Sequence, residues 1–382
     1  MANLCIKLPP FSPDYSGVAS ALYDLNCLSI LHDASGCTGN YTSYDEPRWY
    51  GGKSPVMCSG LREIDAVLGD DEKLINNTLK AAKELNVSLI AIIGSPVPMV
   101  IGADTIGISR EIEYLSQIPT FGFETTGTKY YDFGMNLALL KLAKKFMVIK
   151  PKTKAPSINI VGANILDFSC VEELQSIKKI TKQINVETIS TFPLKATLNS
   201  IKNAPSAWLN VVVTKSGLGV AKYMEKEFGQ PYIVYIPVGE KGTEIFINKI
   251  CEKLYKKEPP KDQQVFESEL IDTLIIGEQV RANSLRDCFG VSRCQVNTLF
   301  GIEDEIMLPG DKDLESEWDI LEAVNDKKYK RIIADPLILD LINNEDIQKI
   351  SIPHFAVSSK LYKENKKDLI GKSLDFISNK NI

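Results

Sequence analysis

Eight cysteines and two histidines, His32 and His354, are the residues of this 382-residue chain best suited to hold a metal or carry redox chemistry. Two imidazoles cannot build a site that needs several of them, which removes most zinc hydrolase designs. The cysteines are too dilute for a disulfide framework, and a reducing compartment keeps such residues as thiols or metal ligands. Cys37 lies in HDASGCTGNY, directly after the apolar LSIL, so the spacing predicts a loop. Gly36 and Gly39 beside it let backbone approach a bulky inorganic group, and nearby amides can donate to sulfide. A small buried thiol in a tight turn reads equally well from the same pattern. Cys58 lies in KSPVMCSGLREIDAVL, between a proline-limited extended run and a predicted helix. There the positive end of the helix dipole favours a thiolate and hence metal binding.

The other six cysteines read differently. Cys5 and Cys27 have apolar neighbours and are expected in the core. Cys170 and Cys251 fall on amphipathic helical patterns. Cys288 and Cys294, in RDCFGVSRCQV at a helix-to-strand turn, have five residues between them and no second pair nearby to complete a metal site.

Elements able to position such residues follow from periodicity. Short Val- and Ile-rich runs recur at SLIAIIG (88–94), INIVG (158–162), LNVVVT (209–214), YIVYIPV (232–238), DTLIIG (272–277) and RIIAD (331–335). Between them lie amphipathic stretches such as DEKLINNTLKAAKELN, FGMNLALLKLAKKFM, GVAKYMEKEFG and GTEIFINKICEKLYKK. That alternation predicts parallel strands with crossover helices. Proline-bearing polar junctions at 150–157 and 256–264 divide the chain into domains of residues 1–152, 153–262 and 263–382. The expected fold class is α/β: three doubly wound, Rossmann-like parallel-sheet domains around a central cleft, with loops after the strands facing it. Hydrophobic residues at 44% and charged residues at 24% fit a folded globular chain, and a formal charge of −5 leaves no broad basic field for nucleic acid. No apolar run reaches the roughly 20 residues of a membrane helix, and Pro9 and Pro10 interrupt any signal-peptide core, so a cytoplasmic protein is expected.

Three blocks then carry a specific likeness. ILHDASGCTGNY resembles the segment of nitrogenase component-one subunits that supplies their first P-cluster cysteine. SPVMCSGLREIDAVLGDDEKL resembles the segment with their second, and SLIAIIGSPVPMVIGADTIGIS resembles the strand, loop and helix start that supply the third. The likeness continues through INIVGANILDFSCVEELQSI, GLGVAKYMEKEFGQPYIVYIPVGEKGTEIF and LIIGEQVRANSLRDCFG, nearly the whole chain. The family contains nitrogenase subunits, cofactor-assembly paralogues, the dark protochlorophyllide reductase and the nickel-tetrapyrrole reductive cyclase. The resemblance implies pairing as dimers and electrons received from an ATP-hydrolysing iron-sulfur reductase.

The family's third cysteine falls at Pro96, which offers no ligand, leaving Cys37 and Cys58. Two thiolates do not complete a cubane with one protein ligand per iron, whereas two chains do. The resemblance therefore implies a 4Fe-4S cluster shared at a twofold interface, within a homodimer or a heterodimer with a paralogous subunit. Ser95 or Asp45 are alternative oxygen ligands. His354, placed at the start of a C-terminal strand, matches no family cofactor histidine and reads as a satisfied polar residue; dinitrogen reduction is not expected. The aromatic run Tyr41, Tyr44, Arg48, Trp49, Tyr50 serves either loop packing or a docking partner. Gly102 and Asp104 are expected to shape and cap a helix start. The implied function is an iron-sulfur oxidoreductase component with an unidentified substrate. Its rivals are a cofactor-assembly scaffold for a cluster or tetrapyrrole, and a metal-free three-domain binding protein.

Overall fold

A computed structural model describes residues 5–51, 54–69, 71–256, 271–362, 364 and 367–374. Three sheets follow one another along the chain. The first is built from β1 (Cys27–Leu31), β2 (Val56–Cys58), β3 (Leu89–Ile93) and β4 (Thr120–Phe123), in the order β2-β1-β3-β4 with every pairing parallel. The second contains β5 (Ser157–Ala163), β6 (Glu187–Pro193), β7 (Leu209–Val212) and β8 (Tyr232–Val234), in the order β6-β5-β7-β8. The third runs β11-β10-β9-β12-β13, from β9 (Thr273–Ile276), β10 (Cys294–Thr298), β11 (Lys312–Asp313), β12 (Arg331–Ala334) and β13 (Gln348–Ser351), again parallel throughout. The chain is thus α/β with three parallel-sheet domains.

Buried residues explain the continuous apolar runs. Every residue of β1, β3, β5 and β9 is buried, because crossover helices cover both faces and leave no solvent side to alternate toward. Helix Asp71–Leu85 buries Leu74, Ile75, Thr78 and Ala82, one stripe at helical spacing, and carries Asp71 and Glu72 in its first turn and Lys83 in its last, in the sense that complements the helix dipole. Leu74, Ile75 and Ala82 pack with Leu28, Ile30, Ile90 and Ile92 of β1 and β3. Each such aliphatic side chain contributes about 1.5–3 kcal/mol on burial.

Two compact units emerge. One, Ser12–Met147 with Thr191–Lys202, holds the first sheet; the other, Met1–Phe11, Val148–Ser190 and Asn203–Ile382, holds the third sheet and the second apart from the end of β6. In the first unit, helices Asp14–Leu22 and Tyr131–Phe146 touch backbone to backbone. A Cβ on Gly17 would lie 1.9 Å from the Tyr131 carbonyl oxygen, and one on Gly134 would lie 1.9 Å from that of Asp14. Glycine is needed at both positions for this close approach.

Asp104 caps helix Thr105–Ser116 as expected, its side chain accepting from the Gly107 amide, and Gly102 adopts a positive φ just before it. Several sequence expectations are corrected. Cys5 is exposed rather than buried; the segment containing it is a surface strap whose Ile6, Lys7 and Leu8 amides donate to the Glu317 carboxylate. Cys170 precedes helix Glu172–Gln183 instead of lying in it. Strand β8 stops at Val234, well short of 238, although the Tyr235 amide still donates to the Val212 carbonyl at 2.9 Å. His354 follows β13 and opens helix Phe355–Ser358, where Asp335 accepts from its backbone amide at 2.7 Å. The junction proposed at 256–264 lies outside the described residues beyond Lys256. Among the described residues, no helix is long and apolar enough to cross a membrane.

Candidate metal centre

In each sheet the first strand is interior, and the chain runs to one side of it before returning to the other. The direction of winding therefore reverses between β1 and β3, between β5 and β7, and between β9 and β12. Loops leaving the carboxyl ends of such strand pairs separate, opening the place where doubly wound sheets bind ligands. Cys37 follows β1, and Ser95 and Pro96 follow β3, so this edge of the first sheet brings together the segments singled out in the sequence.

Cys37 lies on a short helical turn, Gly36–Asn40, where a loop was expected, and is half-buried. Cys58 ends β2, opposite Leu31 of β1, and is also half-buried. Register alone thus carries the second thiol to the end of the strand that launches the first. Asp33 ties the two loops together. Its carboxylate accepts from the Thr38 amide at 3.0 Å and hydroxyl at 3.2 Å, while its carbonyl accepts from Leu61 N at 2.8 Å, Ser59 Oγ at 3.1 Å and the Cys58 thiol at 3.2 Å. The Gly60 amide donates to Cys58 Sγ at 3.3 Å. The helix expected to follow Cys58 begins only at Glu63, so this single amide, and not a helix terminus, faces the sulfur.

Burial raises the Cys37 pKa, and the charges of Asp33 and Cys58 raise it further, while hydroxyls of Tyr15 and Ser95 facing the sulfur oppose the shift. Gly36, Gly39 and Gly60 each have open space where a Cβ would project, leaving room beside the thiols. All eight cysteines are described, and among the described residues no group of three or more His, Cys, Asp or Glu comes together to hold a metal. The donor set of this chain therefore fits half of a four-ligand cluster site and does not complete one.

The two alternative oxygen donors differ in readiness. Ser95 is fully buried, donates to the His32 carbonyl at 2.8 Å and faces Cys37. Asp45 is already committed, accepting from Ser12 Oγ at 2.9 Å, Ser16 Oγ at 2.7 Å and Asn40 Nδ2 at 2.7 Å. Pro96 occupies the first turn of helix Pro96–Val100, its ring against Gly127, where a Cβ would meet it at 2.7 Å. His32 is buried with Nδ1 on Ser59 Oγ at 3.0 Å, and burial lowers its pKa. In the aromatic run, Tyr41 is fully buried on Glu46, and Arg48 pairs with Glu46 and Asp24 and lies 4.1 Å over the Tyr23 ring. Those residues pack the loop, while Tyr44 and Tyr50 point to solvent. Cys288 donates to the Val238 carbonyl at 3.2 Å and Cys294 is buried, so neither is poised for a metal. The sequence does not mark Asp33 and Tyr15 as site residues: Asp33 lies four residues before Cys37 with no motif of its own, and nothing local singles out Tyr15.

Burial raises the Asp45 pKa to about 6, against the opposing hydrogen bonds from Ser16 and Ser12. A folded-state pKa above the ordinary carboxyl value favours folding at low pH, and that contribution is lost as pH rises through about 6. Asp45→Asn is expected to flatten the fall in stability between about pH 4 and 7, by on the order of 3 kcal/mol. Urea midpoints of both proteins across that range check it; parallel curves would place the Asp45 carboxyl outside the linkage.

The family described as nitrogenase component 1 type oxidoreductase matches residues 15–280, which include both thiols and the first two sheets. The chain belongs to that family. Among curated members, one subunit of the light-independent protochlorophyllide reductase of Crocosphaera subtropica is 26% identical over 207 residues, covering 52% of this chain and 41% of that protein. The like-named protein from Chlamydomonas applanata is 36% identical over 125 residues, 31% of this chain and 29% of that protein. The chain thus spans less than half the length of these component 1 relatives. A solved structure titled nitrogenase Cp1 at pH 5 superposes with a TM-score of 0.69 at 15% identity, covering 93% of this chain and 86% of that one, a likeness of fold.

Proposed function

We propose that this chain is the electron-accepting component of a reductase, holding a 4Fe-4S cluster through Cys37 and Cys58 jointly with a second subunit. The observation that carries the reading is the pair of half-buried thiols at one sheet edge, on segments joined by strand register, with no third His, Cys, Asp or Glu grouped with them among the described residues. Exposed apolar residues at the same edge support a protein partner. Helix Glu63–Leu68, entered from β2, exposes Ile64, Val67 and Leu68, and helix Pro96–Val100, entered from β3, exposes Val97 and Val100. Apolar area of this kind is favoured at subunit interfaces. A second copy meeting it about a twofold axis supplies the matching pair of thiolates; a paralogous subunit is the other source.

When bound, the cluster supplies one-electron transfer. The chain's own groups orient and tune: Asp33 fixes both cysteine loops, the Gly60 amide donates to Cys58, and Tyr15 and Ser95 offer hydroxyls to Cys37. Hydrogen bonds to sulfur of this sort raise a cluster's potential. In this reading the electrons come from an ATP-hydrolysing iron-sulfur protein, as the family resemblance implies, and the substrate is a small molecule not identified by these residues.

The test is iron and sulfide analysis of anaerobically purified protein together with its mass in solution. About four irons per dimer are expected, with reduction by an ATP-dependent iron-sulfur reductase. Iron on a strict monomer rules out the shared site. A cluster that never exchanges electrons with such a partner points to an assembly scaffold, and the absence of iron points to a metal-free binding protein.

A further inference from the structure

The second compact unit has a titratable cluster of its own, which the proposed cluster site does not use. It lies where the winding of both of its sheets reverses. Asn164 and Asp167 follow β5, and Thr214 and Lys215 follow β7; Glu278 follows β9, Asp335 follows β12 and His354 follows β13. Two ligand-binding edges therefore contribute to one buried polar group.

Its connections are specific. The Asp167 carboxylate contacts His354 Nε2 at 3.0 Å and accepts from Asn164 Nδ2 at 2.5 Å. Glu278, 4% exposed, accepts from the Lys215 amide at 2.8 Å and the Arg281 amide at 2.9 Å. The nearby cations are engaged elsewhere. The Arg281 guanidinium pairs with buried Glu173 and the Asp167 carbonyl, and Lys215 Nζ donates to the Phe300 and Gly301 carbonyls. Asp335 is occupied by the His354 amide and the Ser358 hydroxyl. Glu278 and Asp167 thus face each other with the imidazole as the remaining adjustable group.

A cavity of about 30 Å³ opens at this point, lined by Asp167, Glu278, Arg281, His354 and the apolar Ile275 and Ile333. Its volume admits one or two waters. Among the described residues nothing accepts from the buried Arg281 Nε, a donor aimed at such a guest. Burial and a second carboxyl nearby both oppose ionisation of Glu278.

We propose that Glu278, Asp167 and His354 form a buried acid–base site that stores one exchangeable proton beside a water-sized cavity. Resting on the reductase reading, this is the proton delivered as a substrate at that edge gains an electron. The O–H bond of Glu278 breaks as a water in the cavity takes that proton and passes one on to a basic substrate atom beyond it, and the carboxylate left behind takes a proton back from bulk solvent through the same water. Burial, with the Asp167 charge next, raises the Glu278 pKa to about 7, in keeping with a group that changes state near neutrality.

Infrared difference spectroscopy of the purified full-length chain between about pH 5 and 9 tests the storage step without substrate or cluster. The expected signal is a protonated-carboxyl stretch that titrates near neutral pH, vanishes in Glu278→Gln and titrates at lower pH in Asp167→Asn, where the neighbouring charge is gone. His354→Gln should move the same titration while leaving the circular dichroism spectrum unchanged. A wild-type spectrum with no such band, or a band unaltered in both Asp167→Asn and His354→Gln, overturns the proposal. Because the readout needs no electron donor, loss of the reductase reading would leave this result standing, and the reverse.

Discussion

Anaerobically purified Cys37→Ala and Cys58→Ala are each expected to retain less than about one tenth of the wild-type iron, because a cluster that loses a thiolate on both sides of a twofold axis keeps half its protein ligands. Either variant should fold: Cys37 lies on a half-buried turn, and Cys58 Sγ makes one contact with a carbonyl and one with an amide, so truncation leaves no deep cavity. The measurement is iron and sulfide per chain with the visible absorption of the cluster, beside the far-ultraviolet spectrum as a control for folding. Ser95→Ala distinguishes the ligand sets. With four thiolates from two chains it keeps its iron and shifts only the potential; with serine as a ligand it loses iron as the cysteine variants do. Full iron in Cys58→Ala sinks the arrangement.

Gly17→Val carries the largest expected cost in stability. Its Cβ would lie 1.9 Å from a backbone oxygen of helix Tyr131–Phe146, which cannot swing aside as a flexible side chain does. The two helices must separate, exposing apolar surface around Val18, Ala21, Met135 and Ala138, all fully or almost fully buried. Overpacking of this kind costs about 3 kcal/mol, and urea denaturation should report a midpoint lower by roughly 1–2 M. The damage also reaches the thiols, since helix Asp14–Leu22 carries Tyr15, which faces Cys37, and Ser16, which donates to Asp45. Reduced iron content should therefore accompany the lower midpoint. A variant as stable as the parent would mean that the helices tolerate a wider crossing.

The sheets were legible in the sequence where both their faces are covered. The Ile and Val runs of β3, β5, β7, β9 and β12 are continuous because no side of them meets water. Strands β2 and β11, of three and two residues, contain too little pattern to register, and their partners alone define them. The apolar look of Cys5 and its neighbours misled for a related reason: local composition does not reveal that Glu317, more than three hundred positions away, pins that strap to a surface. Cys37 and Cys58 stood out through their segments' likeness to a family, not through spacing. Twenty residues separate them in sequence, and no ligand motif has that period. Asp33 and Tyr15 were illegible as site residues because their roles depend on which loops meet, a property of strand order.

Strand order also frees the chain between the thiols. Cys58 is located by the pairing of Val56, Met57 and Cys58 with Ser29, Ile30 and Leu31, and Cys37 by the turn that leaves the same β1. Neither anchor measures the length of the excursion that joins them. Residues inserted near the exposed Tyr50 should lengthen that excursion at an entropic cost of about 0.6 kcal/mol per doubling of loop length, leaving both sulfurs where they are. The crossing is thus a natural attachment point for a tag, a reporter or an additional recognition element.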